Sequence, residues 1–421
     1  MACRQEAQTQ CGEKAGGRHR WFLCAFLFFA TTINYIDRQI LGILAPTLQR
    51  ELGWSEASYG LIVTAFQAAY ALGLLIFGRI IDRIGSRLGL LIAVSVWSIA
   101  SMAHGLASSA MHFAVARFGL GVAEAGNFPA SVKMVSEVFP ARERAFAVGI
   151  FNSGSNIGAI VTPLAVPVLV ELVGWRMTFV ASGLLGLLWV VCALPLLRPA
   201  RSVTENTTDA DSTKLALIRD RRAWAFGIAK LMTDPIWWFY LYWAPKYFGT
   251  RFGVELSGLA APLVCVYLMA DFGSIVGGWG SARLVALGWS PIRARRFMMA
   301  LCAVLVTVVG FAAYAPSVWV AAALLSVAAA AHQGWSANLF ALCADLFPQR
   351  MVGSVVGFGG MLGALGGMAM ATATGLLLEY TGSYTVPFLV CAGSYGVAWC
   401  VSWLLIGTGA GTRAVAGAKE S

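Results

Sequence analysis

The chain has 421 residues, 58% hydrophobic and only 12% charged, with a formal net charge of +10 and a mean hydropathy of +0.73. Soluble domains carry about 25% charged residues, so there is too little polar surface here to cover a water-exposed globule, and the expected solvent is lipid. The nine cysteines are odd in number and mostly sit inside apolar runs, which fits neither a disulfide framework nor metal-ligand spacing.

Apolar runs able to cross about 30 Å of hydrocarbon lie near residues 21–44, 58–80, 87–107, 110–135, 144–170, 176–196, 223–248, 258–282, 296–314, 317–343, 351–378 and 384–407. They predict an all-α membrane protein of twelve transmembrane helices. The first run has a signal-peptide-like core, but no cleavage-like site ends it and eleven more runs follow, so it reads as a retained helix. Glycine, at 46 residues, suits helices whose backbones must approach closely in a bilayer.

Basic residues collect in alternate loops. They occur at the N-terminus (Arg4, Lys14, Arg18, Arg20), after the second span (Arg79, Arg83, Arg87), after the fourth (Arg142, Arg144), after the sixth (Arg198 to Arg222) and after the eighth (Arg283 to Arg296). Intervening loops hold few, chiefly Arg50, Arg176, Lys246 and Arg251. Short basic loops stay in the cytoplasm, so both termini are expected inside. The net charge then reflects topology, and no nucleic-acid partner is expected.

Part of the chain matches itself at an offset of 208 residues. Glu137-Val-Phe-Pro-Ala-Arg142 meets Asp345-Leu-Phe-Pro-Gln-Arg350, Val148-Gly149 meets Val356-Gly357, and Gly158 meets Gly366. Chance similarity in apolar sequence is the competing explanation, and a match through Phe-Pro-x-Arg at a loop argues against it. Two six-helix, pseudo-symmetric halves follow. The expected layout is a cytoplasmic N-terminus (1–20), an N-terminal bundle (21–197), a cytoplasmic linker (198–222), a C-terminal bundle (223–407) and a cytoplasmic C-terminus (408–421).

Charges inside a span cost about 2.5–3.5 kcal/mol on insertion scales and ask for a reason. The first span carries Asn34-Tyr-Ile-Asp-Arg38 and the fourth carries Arg117 and Glu124. Counted from the outer ends, Asp37 and Arg117 lie at similar depth, with Glu124 on the Arg117 face about 10 Å deeper. Two carboxylates and two guanidiniums are therefore expected to face one cavity. Buried salt bridges that only fix packing are the alternative, although such pairs stabilise poorly. Arginine's fork grips a carboxylate, and a carboxylate in a partly dry cavity exchanges protons readily. Together they make a recipe for proton-coupled anion uptake.

Gly78-Arg-Ile-Ile-Asp82-Arg83-Ile-Gly85-Ser-Arg87 resembles the loop signature of the major facilitator superfamily. The resemblance implies a gating role for Asp82, Arg83 and Gly85, with Asp82 touching the start of the eleventh span. The matching loop after the eighth span, Gly277-Gly-Trp-Gly-Ser-Ala-Arg283, lacks the aspartate, so any gate there must differ. Tyr35-x-Asp37-Arg38 with Arg117-x6-Glu124 resembles the anion:cation symporter branch, over essentially residues 20–407. That implies substrate binding at Tyr35 and Arg38, proton binding at Asp37 and Glu124, and a coupling role for Arg117. The strings Thr233 to Lys246 and Ala331 to Asn338 look most like the bacterial hexuronate carriers.

In the seventh span Asp234-Pro235 is expected to interrupt the helix, as in the discontinuous helices that line transport sites. Trp237 and Trp238 are the site candidates there, stacking on a pyranose face, while Tyr242 and Trp243 suit an interfacial belt. Gln333, Asn338 and Asn156 are candidate hydroxyl partners. Lys230 and Asp234, four residues apart, read as an intrahelical pair.

The expected activity is proton-coupled symport of a sugar-acid anion, with a hexuronate (glucuronate or galacturonate) leading over aldonates, aldarates and aromatic carboxylates. Exchange or uniport is the competitor within transport. A membrane enzyme or receptor is the competitor outside it, but none of the four histidines has His-Glu-x-x-His spacing and no Gly-x-Ser-x-Gly or Walker-type loop occurs. No cofactor and no metal are expected. The protein is read as a monomer of the cell membrane, in bacteria the inner membrane.

Overall fold

The computed structural model describes residues 2–54, 56–197, 219–254 and 260–407, with side chains from His19 onward in the first segment. Most of the expected linker and the expected C-terminal stretch lie outside these residues. The described residues form α1 (Ala2–Leu52), α2 (Glu56–Ile84), α3 (Ser86–Ala103), α4 (Ala110–Glu124), α5 (Asn127–Val138) and α6 (Ala141–Ala193). After the linker come α7 (Arg221–Phe252), α8 (Ala260–Ala286), α9 (Pro291–Val306), α10 (Val318–Leu346), α11 (Gln349–Thr381) and α12 (Thr385–Ile406). No strand occurs among the described residues.

These helices make twelve crossings. The fourth is broken, because α4 ends at Glu124 and α5 starts at Asn127. The fifth and sixth are run together in α6, which turns at Gly174, where φ is 78° and ψ 163°; glycine takes that backbone shape without a Cβ penalty. Among the described residues, eight helices are long and apolar enough to cross a membrane on those grounds alone. The helices left out are α1 and α7, which are long but polar in mid-helix, and the two short pieces of the fourth crossing.

The repeat reaches down to the caps. Ser109 caps α4 by accepting the His112 N–H, and Ser317, 208 residues later, caps α10 through the Val320 N–H. Phe139 and Phe347 both end a helix in extended conformation, and Pro140 and Pro348 cap the next one. A residue before proline is driven out of the α region, so Phe-Pro closes one span and opens the next in each half.

The halves meet along two seams, α2 against α11 and α6 against α8. A Cβ on Gly357 would lie 2.1 Å from the Leu74 carbonyl, and one on Gly149 would lie 2.4 Å from that of Ser274. Only glycine permits this backbone approach. The outer face is apolar, with Leu172, Leu188 and Phe311 exposed, as a lipid-facing surface must be.

Contrary to the sequence expectation, Asp234-Pro235 does not interrupt the seventh crossing: α7 is continuous through Pro235 and Pro245. The interruption is in the fourth crossing at Ala125-Gly126, immediately after Glu124.

Candidate functional site

Between the halves lies a chamber of about 680 Å³, counting the solvent-open space at its mouth. The N-terminal half lines it with Tyr35 and Arg38 of α1, Tyr70 of α2, Phe128 of α5, and Asn152 and Ser155 of α6. The other half contributes Lys230, Asp234, Trp237 and Trp238 of α7, and His332, Gln333 and Phe340 of α10. Of the residues expected at a substrate site, Tyr35, Arg38, Trp237, Trp238 and Gln333 are on this wall.

Arg38 is held in place before any ligand arrives. Its Nε lies 3.0 Å and its Nη2 also 3.0 Å from Glu124 Oε2, and Nη2 reaches Asn34 Oδ1 at 3.4 Å. The rings of Tyr70, Tyr35 and Phe66 surround its guanidinium carbon at 4.5, 4.9 and 5.3 Å. Aromatic faces attract a cation and fix its plane. The side chain is 9% exposed while that of Glu124 is wholly buried, so Arg38 is the group of this pair that opens to the chamber.

The expectation that all four charged groups of the first and fourth spans share the chamber does not hold. Asp37, Arg117 and Glu124 are buried behind the wall. Asp37 accepts the Ser101 hydroxyl at 2.8 Å, and Ser101 meets Ser182 at 3.0 Å, so this carboxylate faces α3 and α6. Arg117 donates Nη1 to the Arg38 carbonyl at 3.3 Å, while its Nε and Nη2 have no hydrogen-bond partner among the described residues. Asp37 is one residue before Arg38, and successive side chains on a helix diverge by about 100°. Both cannot face the same opening.

Asn156 and Asn338 are also off the wall. Asn156 donates to Asp271 at 2.7 Å and accepts from Gln333 at 3.4 Å. Asn338 spans α8 and its own helix, donating to the Gly277 and Gly334 carbonyls at 2.9 and 2.8 Å. Asn152 donates to Gln333 at 2.7 Å, so a polar seam between α6, α8 and α10 runs beside the chamber. The lead that a sequence reading undervalues is Lys230–Asp234. The pair is intrahelical as read, 2.7 Å apart, yet both groups open to the chamber. The cost of charge in mid-span, applied to α1 and α4, applied equally to α7.

Toward the end of the molecule that carries the α2–α3 turn, Phe128 and Phe340 stack across the halves at 5.6 Å. Beyond them the halves are tied by ions. Asp82 accepts Lys133 Nζ at 2.8 Å and the N–H groups of Gly353 and Ser354 at 3.0 and 2.6 Å. Those N–H groups lie in the second turn of α11, close to its N-terminal end, where the positive end of the helix dipole favours a carboxylate. Arg83 is exposed, and Gly85 turns the chain at φ 92°. Lys133 escaped the sequence reading, although a lysine in the fourth span carried the same signal as Arg117.

The second seam uses a different device. Asp345 binds Arg144 of the other half at 2.7 Å and Arg295 of its own half at 3.4 Å, and Arg295 also donates to the Ala141 carbonyl. At the opposite end α2 and α11 diverge. A second cavity opens there between Val63, Thr64 and Gln67 of α2, Trp238 and Trp243 of α7, and Gly367 to Thr372 of α11. Trp238 lines both cavities.

The family model for the Major Facilitator Superfamily matches residues 27–371. The hexuronate transporter of Escherichia coli is 30% identical over 382 residues, 86% of this chain and 88% of that protein. A Bacillus subtilis protein named "probable galactarate/D-glucarate transporter" is 27% identical, across 94% of this chain and 93% of its own length. The crystal structure of the E. coli fucose:proton symporter superposes with a TM-score of 0.73, covering 92% of this chain and 99% of that one at 16% identity.

Proposed function

Because the chain belongs to the Major Facilitator Superfamily, whose members are membrane transporters and not enzymes, we propose that it is a proton-coupled symporter that imports a sugar-acid anion, a hexuronate in the first instance, by alternating access. The two bundles, 21–197 and 223–407, rock about the chamber, joined by the linker 198–222. The observation that carries the reading is the Arg38–Glu124 pair, a chamber-facing guanidinium held by a fully buried carboxylate. Support for the substrate class comes from the hexuronate transporter among its relatives.

The chemistry follows from competition for one cation. While Glu124 is ionised it occupies Arg38. A proton on Glu124 neutralises it and frees the fork for the substrate carboxylate, so proton and anion bind together and no charge is left over. Moving the anion alone into a negative interior would cost about 2.3 kcal/mol per 100 mV. Asp37 is a second proton-holding group, and Arg117, within electrostatic reach of both carboxylates, couples them. Tyr35, Trp237, Trp238 and Gln333 face the sugar ring and its hydroxyls.

With both termini in the cytoplasm of a bacterial inner membrane, the ionic ties at Asp82 and Asp345 close the cytoplasmic end. The cavity shared at Trp238 is then the outer vestibule, and the conformation is outward-facing. Arg83 and Gly85 complete the α2–α3 gate.

The test is uptake of radiolabelled galacturonate into proteoliposomes with an imposed pH gradient. Accumulation above equilibrium, collapsing with a protonophore, is expected. Equilibration without accumulation would replace symport by uniport or exchange.

A further inference from the structure

The charge pair of the seventh crossing has no part in the mechanism above. Lys230 and Asp234 have side chains 9% and 20% exposed, and what they are exposed to is the chamber. An intrahelical pair of this spacing adds little to the stability of a helix, while each charge in mid-span is costly. Helix stability is a poor reason for either. The surroundings look built to place the ammonium: Lys230 Nζ sits 4.4 Å from the centre of the Phe340 ring, and Phe340 is itself stacked on Phe128. Glycines 359 and 363 of α11 leave room against both residues, since a Cβ on Gly363 would lie 2.3 Å from Asp234 Oδ2.

The chamber thus contains two cations, Arg38 from the N-terminal half and Lys230 from the C-terminal half, each holding one carboxylate. A uronate has one carboxylate and uses one of them. A sugar with a carboxylate at each end, such as galactarate, has one for each cation. We propose that Lys230 and Asp234 form a second anion subsite that takes the far carboxylate of a sugar diacid, while the near one binds Arg38. This rests on the chamber being the transport site.

The exchange at Lys230 repeats the one at Arg38: the substrate carboxylate takes the ammonium as Asp234 takes a proton. The only bonds formed are the O–H bonds on Glu124 and Asp234, made with protons from the outer solution and broken on release inside, so a dianion with two protons crosses without net charge. Among the described residues, the ionisable and charged groups that share the chamber wall with this pair are Tyr35 and Arg38 of α1, Tyr70 of α2 and His332 of α10; Cys343 of α10 and Tyr395 of α12 lie behind the wall within electrostatic reach. The α11 face against it is glycine.

The test is binding of galactarate, galacturonate and galactose to the purified full chain by isothermal calorimetry, with wild type, Lys230→Gln and Lys230→Arg. Expected is galactarate binding about 10-fold tighter than galacturonate in wild type, the scale of one charge-assisted hydrogen bond. Lys230→Gln should remove that advantage and leave galacturonate within about twofold, and Lys230→Arg should restore most of it. Galactarate no tighter than galacturonate, or Lys230→Gln weakening both acids alike, overturns the second subsite alone. Wild type that binds neither acid overturns the sugar-acid reading of the chamber and this proposal with it.

Discussion

Arg38 places both Nε and Nη2 3.0 Å from a single oxygen of Glu124, Oε2, and leaves Oε1 without a hydrogen-bond partner among the described residues. A guanidinium and carboxylate locked for packing alone would use both oxygens in the forked geometry. One oxygen held and one free is an arrangement that a proton can dismantle.

Glu124→Gln should therefore separate two activities. Counterflow of preloaded substrate persists, because glutamine mimics the protonated acid, while accumulation driven by a pH gradient falls to background. Wild-type uptake rises as external pH falls, since protonation of Glu124 releases Arg38, and the variant loses that dependence. Equal loss of counterflow and accumulation in proteoliposomes would make Glu124 a structural residue.

Arg38→Ala removes the only guanidinium on the chamber wall among the described residues and should weaken substrate binding by about 100-fold or more, the upper range for a lost charged hydrogen bond. Arg38→Lys keeps the charge but not the fork and should fall between. Calorimetric titration of purified protein reads both, and unchanged affinity in Arg38→Ala would remove this residue from the site.

Asp82→Asn keeps one acceptor but loses the charge that meets Lys133 and the first turns of α11. Interactions of a carboxylate with a helix N-terminus are worth up to about 2 kcal/mol when partly buried. A shift of about 10-fold toward the inward-facing state is expected. Spin-label distances between α2 and α11 at the Asp82 end would lengthen; an unaltered distribution would deny the latch.

Gly357→Val attacks the same seam by sterics, because even a Cβ would press on the Leu74 carbonyl at 2.1 Å. The substitution should hold the Asp82 end apart, cut uptake by about 10-fold or more, and leave the helical content unchanged. Thiol labelling of a cysteine placed on α11 near this end should become faster. Wild-type uptake in this variant would show that the halves need not close so tightly.

Much of the architecture could be read from residues alone. Hydropathy placed most of the helices to within a few residues, because lipid accepts no polar backbone and permits little besides helices, although α1 (Ala2–Leu52) runs well past the expected 21–44 at both ends. The offset of 208 held even at the caps, Ser109 with Ser317 and Pro140 with Pro348, since capping depends on local chemistry. Asp82 reached the start of α11 as the loop resemblance implied. Counting along a helix put Asp37 and Arg117 at similar depth, and Arg117 reaches the carbonyl of Arg38, the residue after Asp37, because depth follows directly from rise per residue.

Which wall each charge joins was another matter. Asp37 turned to Ser101 and Ser182, Asn338 to the Gly277 carbonyl, and Lys230 to the chamber. Sequence by itself determined how deep each charged group lies, since a helix rises 1.5 Å per residue whatever surrounds it. Only the tertiary structure decided what each one faces. That depends on how twelve crossings rotate and close upon one another, and the contacts that set the rotation, glycine to backbone across α2–α11 and α6–α8, join residues more than a hundred positions apart.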